Sequence, residues 1–193
     1  MESGGRARRR RAKLVSLRGY NRGMIRVEHV LDSWKAIRED TAQAVADFPG
    51  DDLDFRATTE VMKFRDIARH VLVASDGLAG MLLSGEENFS GPEMRDKIAK
   101  NSQPVAADLD AATLAAALRE SLARRAAELA QKDAAFYASM VTRMDGAQVT
   151  RLEMVQYIKE HELTHRSQMF MYLRLKGVTP STTRRRQAKQ AAK

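Results

Sequence analysis

Not one of the 193 residues is cysteine. Structural disulfides, thiolate nucleophiles and cysteine-ligated zinc are therefore excluded together. Aromatic residues make up only 6% of the chain and are not interleaved with its arginine runs, and no helix-turn-helix, OB or finger pattern is present, which argues against a nucleic-acid-binding module. No apolar run approaches the roughly 20 residues that cross a bilayer. The arginine-rich N-terminus is followed only by Leu14, Val15 and Leu17, far short of a secretory or twin-arginine segment. The expectation is a soluble cytoplasmic protein with one domain, since this length suits one proper core and not two.

Acid is scarce at both ends. Residues 1–23 carry eight basic side chains against Glu2 alone, and residues 181–193 carry five with no acid. The formal net charge of +8 thus resides in the ends, and residues 24–180 are left at −4. Blocks of like charge repel and bury little apolar area. Both ends, 1–23 and 181–193, are expected to be disordered basic tails, with any nucleic-acid contact confined to them. Met24 heads the first amphipathic stretch and is an alternative expected start of translation.

Proline is rare, and Pro49, Pro92, Pro104 and Pro180 all fall outside the periodic stretches. No segment alternates with period two for long enough to predict a strand. Four stretches instead carry apolar residues at spacings of three and four. The first runs from about Val27 to Phe48, with Val27, Val30, Leu31, Trp34, Ile37, Thr41 and Val45 on its stripe. The second runs from a cap at Thr58 or Thr59 through Phe64, Ile67, His70, Val71, Ala74, Leu78 and Leu82 to Ser84-Gly85. A polar connection follows, with one short helical turn read from Gly91 as N-cap and Pro92 behind it. The third stretch starts after Asp110 and continues through Leu114, Leu118, Leu122, Leu129, Asp133, Phe136 and Met140, Asp133 being its odd member. After the turn signal Met144-Asp145-Gly146, Thr150 and Glu153 match a capping box. The fourth stretch shows Met154, Ile158, His161, His165, Gln168 and Tyr172 on one face, and ends at Lys176-Gly177 before Pro180. Four long helices with one connection of about 25 residues predict an all-α four-helix bundle over residues 24–180, with a long crossover between the second and third helices.

Three of the four histidines are placed where a metal ion would want them. His161 and His165 are one turn apart on one helix face, and His70 lies near the middle of another apolar stripe. Two imidazoles on one buried face need several partners, which a shared ion supplies at once, and a third from a neighbouring helix makes an open three-nitrogen site. His29 misses the main face of its helix and is expected near the surface. His161-Glu162-Leu163-Thr164-His165 also matches H-E-x-x-H, in which the glutamate of a zinc protease is the general base. After Glu162, however, there is no Asp, no Glu and no histidine except His165 to be a third protease ligand, so a protease is not expected. Glu162 is the carboxylate on that helix with a candidate catalytic role; the alternative is a solvent-facing helical charge.

The run from His161 through His165-Arg166-Ser167-Gln168 to Tyr172-Leu173-Arg174 and Gly177…Pro180 resembles the C-terminal helix of the DinB/YfiT-like family. Asp66-Ile67-Ala68-Arg69-His70-Val71 resembles the segment that holds that family's first ligand histidine. The similarity spans about residues 24–180. Ser167 replaces the family's usual glycine, and Ser181 stands where a second proline is common. The resemblance implies a bundle in up-down-down-up order and a divalent ion (zinc, nickel, manganese or iron) on His70, His161 and His165. It also implies a homodimer, and chemistry of the thiol S-transferase or isomerase type with a low-molecular-weight thiol such as bacillithiol or mycothiol and a small electrophilic substrate. With no cysteine of its own, such an enzyme would take its sulfur nucleophile from the cosubstrate. The same site working with water would be a hydrolase, and a non-catalytic metal-binding bundle acting in a stress response is the reading from another class.

Overall fold

The apolar stripe of the first stretch folds as predicted into helix α1, Val27–Asp47, which buries Val30, Leu31, Trp34, Ile37 and Val45. The computed structural model of the protein describes residues 26–192, so the expected tail 1–23 lies outside the described residues. The other elements are α2 (Phe64–Leu83), α3 (Met94–Asn101), α4 (Ala111–Ala130), α5 (Ala134–Ala138), strands β1 (Met140–Thr142) and β2 (Gln148–Thr150), α6 (Arg151–Leu175) and α7 (Ser181–Ala191).

Helices α1, α2, α4 and α6 form the bundle. Each of α1 and α2 packs against both α4 and α6, so the first two helices sit diagonally across the core. Cross-helix pairs give the directions. Trp34 and Arg38 meet Glu162 while Asp40 meets Arg166, which makes α1 and α6 parallel. His70 meets His161 while Met62 meets Tyr172, which makes α2 and α6 antiparallel. Arg65 reaches Leu109 and Asp76 reaches Arg124, so α2 and α4 run together. The order is up-down-down-up, as the resemblance implied.

The long crossover between α2 and α4 carries α3, and glycine makes room for it. A Cβ on Gly77 would lie 2.6 Å from the Ile98 carbonyl oxygen, and one on Gly80 would lie 2.6 Å from that of Asn101. Only hydrogen at these positions lets the two helices approach so closely. The buried Asp76 carboxylate accepts from Arg124, Arg125 and the Gln103 amide, tying the crossover to α4.

Five local expectations need correction. Helix α2 begins at Phe64 without a side-chain cap, because residues 54–63 spend Thr58 and Thr59 on turns of their own. Gly91 is a turn residue at φ +97°, and α3 starts three residues later behind Glu93. The third stretch breaks at Gln131: Asp133 accepts from the Phe136 amide and caps α5, which explains a carboxylate on an apolar stripe. Around the Asp145-Gly146 turn there is a short antiparallel hairpin of β1 and β2, with three paired residues too few to show alternation.

The fifth correction concerns the C-terminal segment. Residues 181–191 are helix α7 and not a solvated tail, because α1 supplies acid where the segment supplies base. Asp40 accepts from the buried Ser181 hydroxyl at 3.1 Å and from Arg185 at 2.7 Å, and Asp47 accepts from Arg184 at 2.6 Å. Among the described residues, no helix is long and apolar enough to cross a membrane.

Candidate metal centre

Helix α6 is fixed at both ends by its own sequence. Thr150 accepts from the Glu153 amide while Glu153 accepts from the Thr150 amide, the predicted capping box, worth about 1 kcal/mol. At the other end Gly177 takes φ +73°, where a side chain would be strained. Between these ends the core line runs through Val155, Ile158, Glu162, Met169 and Leu173. His161 and His165 are displaced from that line toward α2 and are half-buried, and His70 on α2 is exposed. The expected buried face is therefore a seam between two helices that opens to solvent.

All three predicted histidines converge there. His161 Nε2 lies 3.1 Å from His70 Nε2 and 3.1 Å from His165 Nε2, and the three ligand atoms all lie within 4.8 Å of one another. An imidazole nitrogen either donates one proton or accepts at one lone pair, so His161 Nε2 serves one neighbour and leaves the other unanswered. A cation answers all three lone pairs at once. Nitrogens about 2.0–2.1 Å from a common ion stand roughly 3 Å apart, and the observed spacing fits that edge. His165 Nδ1 donates to Gln168 Oε1 at 2.8 Å. An amide oxygen can only accept, so the proton is on Nδ1 and the Nε2 lone pair faces the cluster, the tautomer a ligand requires. Burial, then repulsion from His165 and His70, pulls His161 down to about 4, and partial desolvation of the inner side of its otherwise exposed ring, followed by repulsion from His165, lowers His70. Both rings are thereby kept neutral and able to coordinate at ordinary pH.

Glu162 is elsewhere. It is fully buried, a helical step away from the histidine seam, and its carboxylate accepts from Arg38 Nε at 2.7 Å, Arg38 Nη2 at 2.8 Å and Trp34 Nε1 at 2.7 Å. The solvent-facing alternative is overturned, and a role in proton transfer would require breaking a buried bidentate pair. The H-E-x-x-H geometry of a zinc protease, with its glutamate beside the ion, is not formed. His29 is exposed beside Arg26, as expected, and is not part of the cluster.

Arg38 is the residue that the sequence pattern hides, and for Gln168 it hides the role. Arg38 lies seven residues after Leu31 and four after Trp34, a core position by helical spacing, and its charge disguised it. Arg38 also donates to Ser75 Oγ on α2 and to the Leu118 carbonyl on α4, so one side chain joins all four bundle helices. Gln168 shares the face of His165, and a spacing of three residues is the signal for their hydrogen bond.

Comparison with known proteins agrees with this picture. A family model described as the DinB family matches residues 21–192. A DinB-like protein of Bacillus subtilis, YjoA, superposes with a TM-score of 0.62 at 20% identity, covering 78% of this chain and 94% of that one. YfiT from Bacillus subtilis, described as a probable metal-dependent hydrolase with an unusual four-helix bundle topology, gives 0.57 at 17% identity, covering 82% and 93%. The mycothiol-dependent maleylpyruvate isomerase gives 0.57 at 15% identity, and there the match spans 74% of this chain but only 60% of the isomerase. No curated protein matches the sequence.

Proposed function

The chain belongs to the DinB family, and from that premise we propose that it is a metal-dependent enzyme, specifically a thiol-dependent S-transferase. The observation that carries the proposal is the convergence of His70, His161 and His165 on one point open to solvent. These three side chains would hold a divalent ion, zinc, nickel, manganese or iron, with Gln168 orienting His165 and the Arg38–Glu162 pair holding α6 against the bundle. Such an ion, when bound, supplies Lewis acidity at a position the protein leaves free.

The nucleophile comes from outside, because the chain has no cysteine. In the transfer, the sulfur of a low-molecular-weight thiol forms a bond to the electrophile's carbon. The leaving group departs with its electron pair, and the thiol proton passes to solvent. The relation to the mycothiol-dependent isomerase supports a thiol cosubstrate. The competing hydrolase reading, suggested by the description of YfiT, is disfavoured by one feature. Metal-dependent hydrolases commonly set a carboxylate general base beside the ion-bound water, yet among the described residues no carboxylate joins the cluster and Glu162 is committed to Arg38. A thiol ionises more readily than water even before an ion acts on it, so it depends less on such a base. The cytoplasm, where thiols are kept reduced, suits this chemistry, and a homodimer remains part of the proposal.

Untagged protein should carry about one equivalent of metal by elemental analysis. With metal restored, it should accelerate conjugation of a small electrophile to at least one bacterial low-molecular-weight thiol. His165→Ala should lower that rate at least about 100-fold while the far-ultraviolet circular dichroism is kept. Tight metal binding with no turnover across a broad panel would refute the transferase and leave a non-catalytic bundle.

A further inference from the structure

Beside the imidazole cluster lies a cavity of about 360 Å³ between the start of α2 and the end of α6. Gln168 is the wall shared by the two: its amide oxygen accepts from His165, and its side chain lines the cavity. Ile67, one turn before His70 on α2, lines the opposite side. Val61, Met62, Met171 and Tyr172 supply the rest of the surface, with Val61, Met62 and Met171 exposed by 41%, 40% and 59%. The Tyr172 hydroxyl donates to the Met62 carbonyl at 2.9 Å, which pins the segment before α2 to α6 and holds the two walls in place.

The lining's chemistry limits what can enter. Among the described residues its lining is mostly apolar, with Glu60 the one charged side chain and no basic group. Inside the cavity an anionic group would meet a like charge, and the cation that could answer it is the ion proposed at the cluster, at the substrate's other end. Exposed thioethers on both walls adapt to varied apolar shapes. The volume falls within the range of small-molecule sites, whereas a stable protein interface needs roughly 800 Å² from each partner.

We propose that this cavity holds the apolar part of a neutral electrophilic substrate, aliphatic or aryl, whose reactive carbon extends past Gln168 to the imidazole cluster. This rests on the transferase reading and names the substrate class for it: uncharged apolar electrophiles, not carboxylates.

The cavity can be tested apart from the metal. Full-length, metal-free protein labelled with ¹³C at its methionine methyls is titrated with hexan-1-ol and, separately, with hexanoate. The Met62 and Met171 methyl signals, assigned through Met62→Leu and Met171→Leu, should move saturably with hexan-1-ol. They should respond at least about tenfold more weakly to hexanoate, and Met171→Asp should abolish the response. In zinc-loaded protein, the affinity of straight-chain alkyl hydroxamates should rise about 3- to 4-fold per added methylene. That slope should flatten in Met171→Asp at unchanged zinc content. Methyl signals that ignore hexan-1-ol, or follow protein concentration instead and so report a contact between copies, overturn the proposal. A flat chain-length series with zinc bound does so too. Absence of zinc uptake with the hexan-1-ol response intact would sustain the cavity and remove the metal reading, which keeps the two failures distinct.

Discussion

Replacing Glu162 by glutamine changes one atom and removes one charge from the centre of the bundle. Arg38, whose side chain is 2% exposed, would lose its counter-ion while still confined by Ser75 and Leu118. Both members of the pair are out of water, so solvent does not screen the loss. Breaking such a pair from one side costs about 3–5 kcal/mol. In a protein of this size each kcal/mol lowers Tm by about 2–4 °C, which predicts a fall of roughly 6–20 °C. Arg38→Met leaves the carboxylate bare and should cost a similar amount. The double variant Arg38→Met with Glu162→Gln removes both charges yet keeps an oxygen for the Trp34 indole N–H. It should therefore be less destabilised than the sum of the singles by at least about 2 kcal/mol, and more stable than Arg38→Met alone. Urea unfolding of the metal-free proteins measures all four corners of this cycle. Strict additivity, or singles within about 1 kcal/mol of the parent, would refute the view that this pair is the electrostatic keystone of the core.

Three further outcomes are expected. Gln168→Leu removes the acceptor for His165 Nδ1 and should weaken zinc binding about 10- to 100-fold by calorimetric titration with little change in Tm, and Gln168→Glu should restore it. Because His161 is lowered from 6.5 to about 4, the unfolded chain binds a proton there before the native one does. Metal-free stability should then decline as pH falls from about 6.5 to about 4, and His161→Ala should lose less between pH 7 and pH 5 than the parent; equal losses would contradict the desolvation of His161. Removing residues 181–193 strips Asp40 of Ser181 and Arg185 and should cost about 1–3 kcal/mol in thermal melts, whereas a solvated tail would cost nothing.

The bundle and its histidines were legible because both are written in helical spacing. The stripe from Val30 to Val45 and the box at Thr150 and Glu153 are local signals, and local signals survived folding. What sequence reasoning misread depends on partners far along the chain. Glu162 looks like any helical carboxylate until Arg38 arrives from another helix 124 positions away. Likewise Arg184 and Arg185 look solvated until Asp47 and Asp40 are brought beneath them. Asp133 was a local signal passed over: a carboxylate three residues before Phe136 is a cap as readily as it is an anomaly.

The diagonal placement of α1 and α2 also has a temporal side. In an up-and-down bundle each helix packs on the one made just before it, and closure can proceed as the chain lengthens. Here α1 waits for α4 and α6, and its arginine cannot meet its carboxylate until some 124 residues more have been made. At about 5–20 residues per second that interval is roughly 6–25 s on the ribosome. Helix α1 passes this time with its indole and guanidinium paired only to water, and such distant contacts slow folding generally. The imidazole cluster is born equally late, since α2 holds one histidine alone until α6 delivers the other two. Any ion captured at this site is captured by a nearly complete protein.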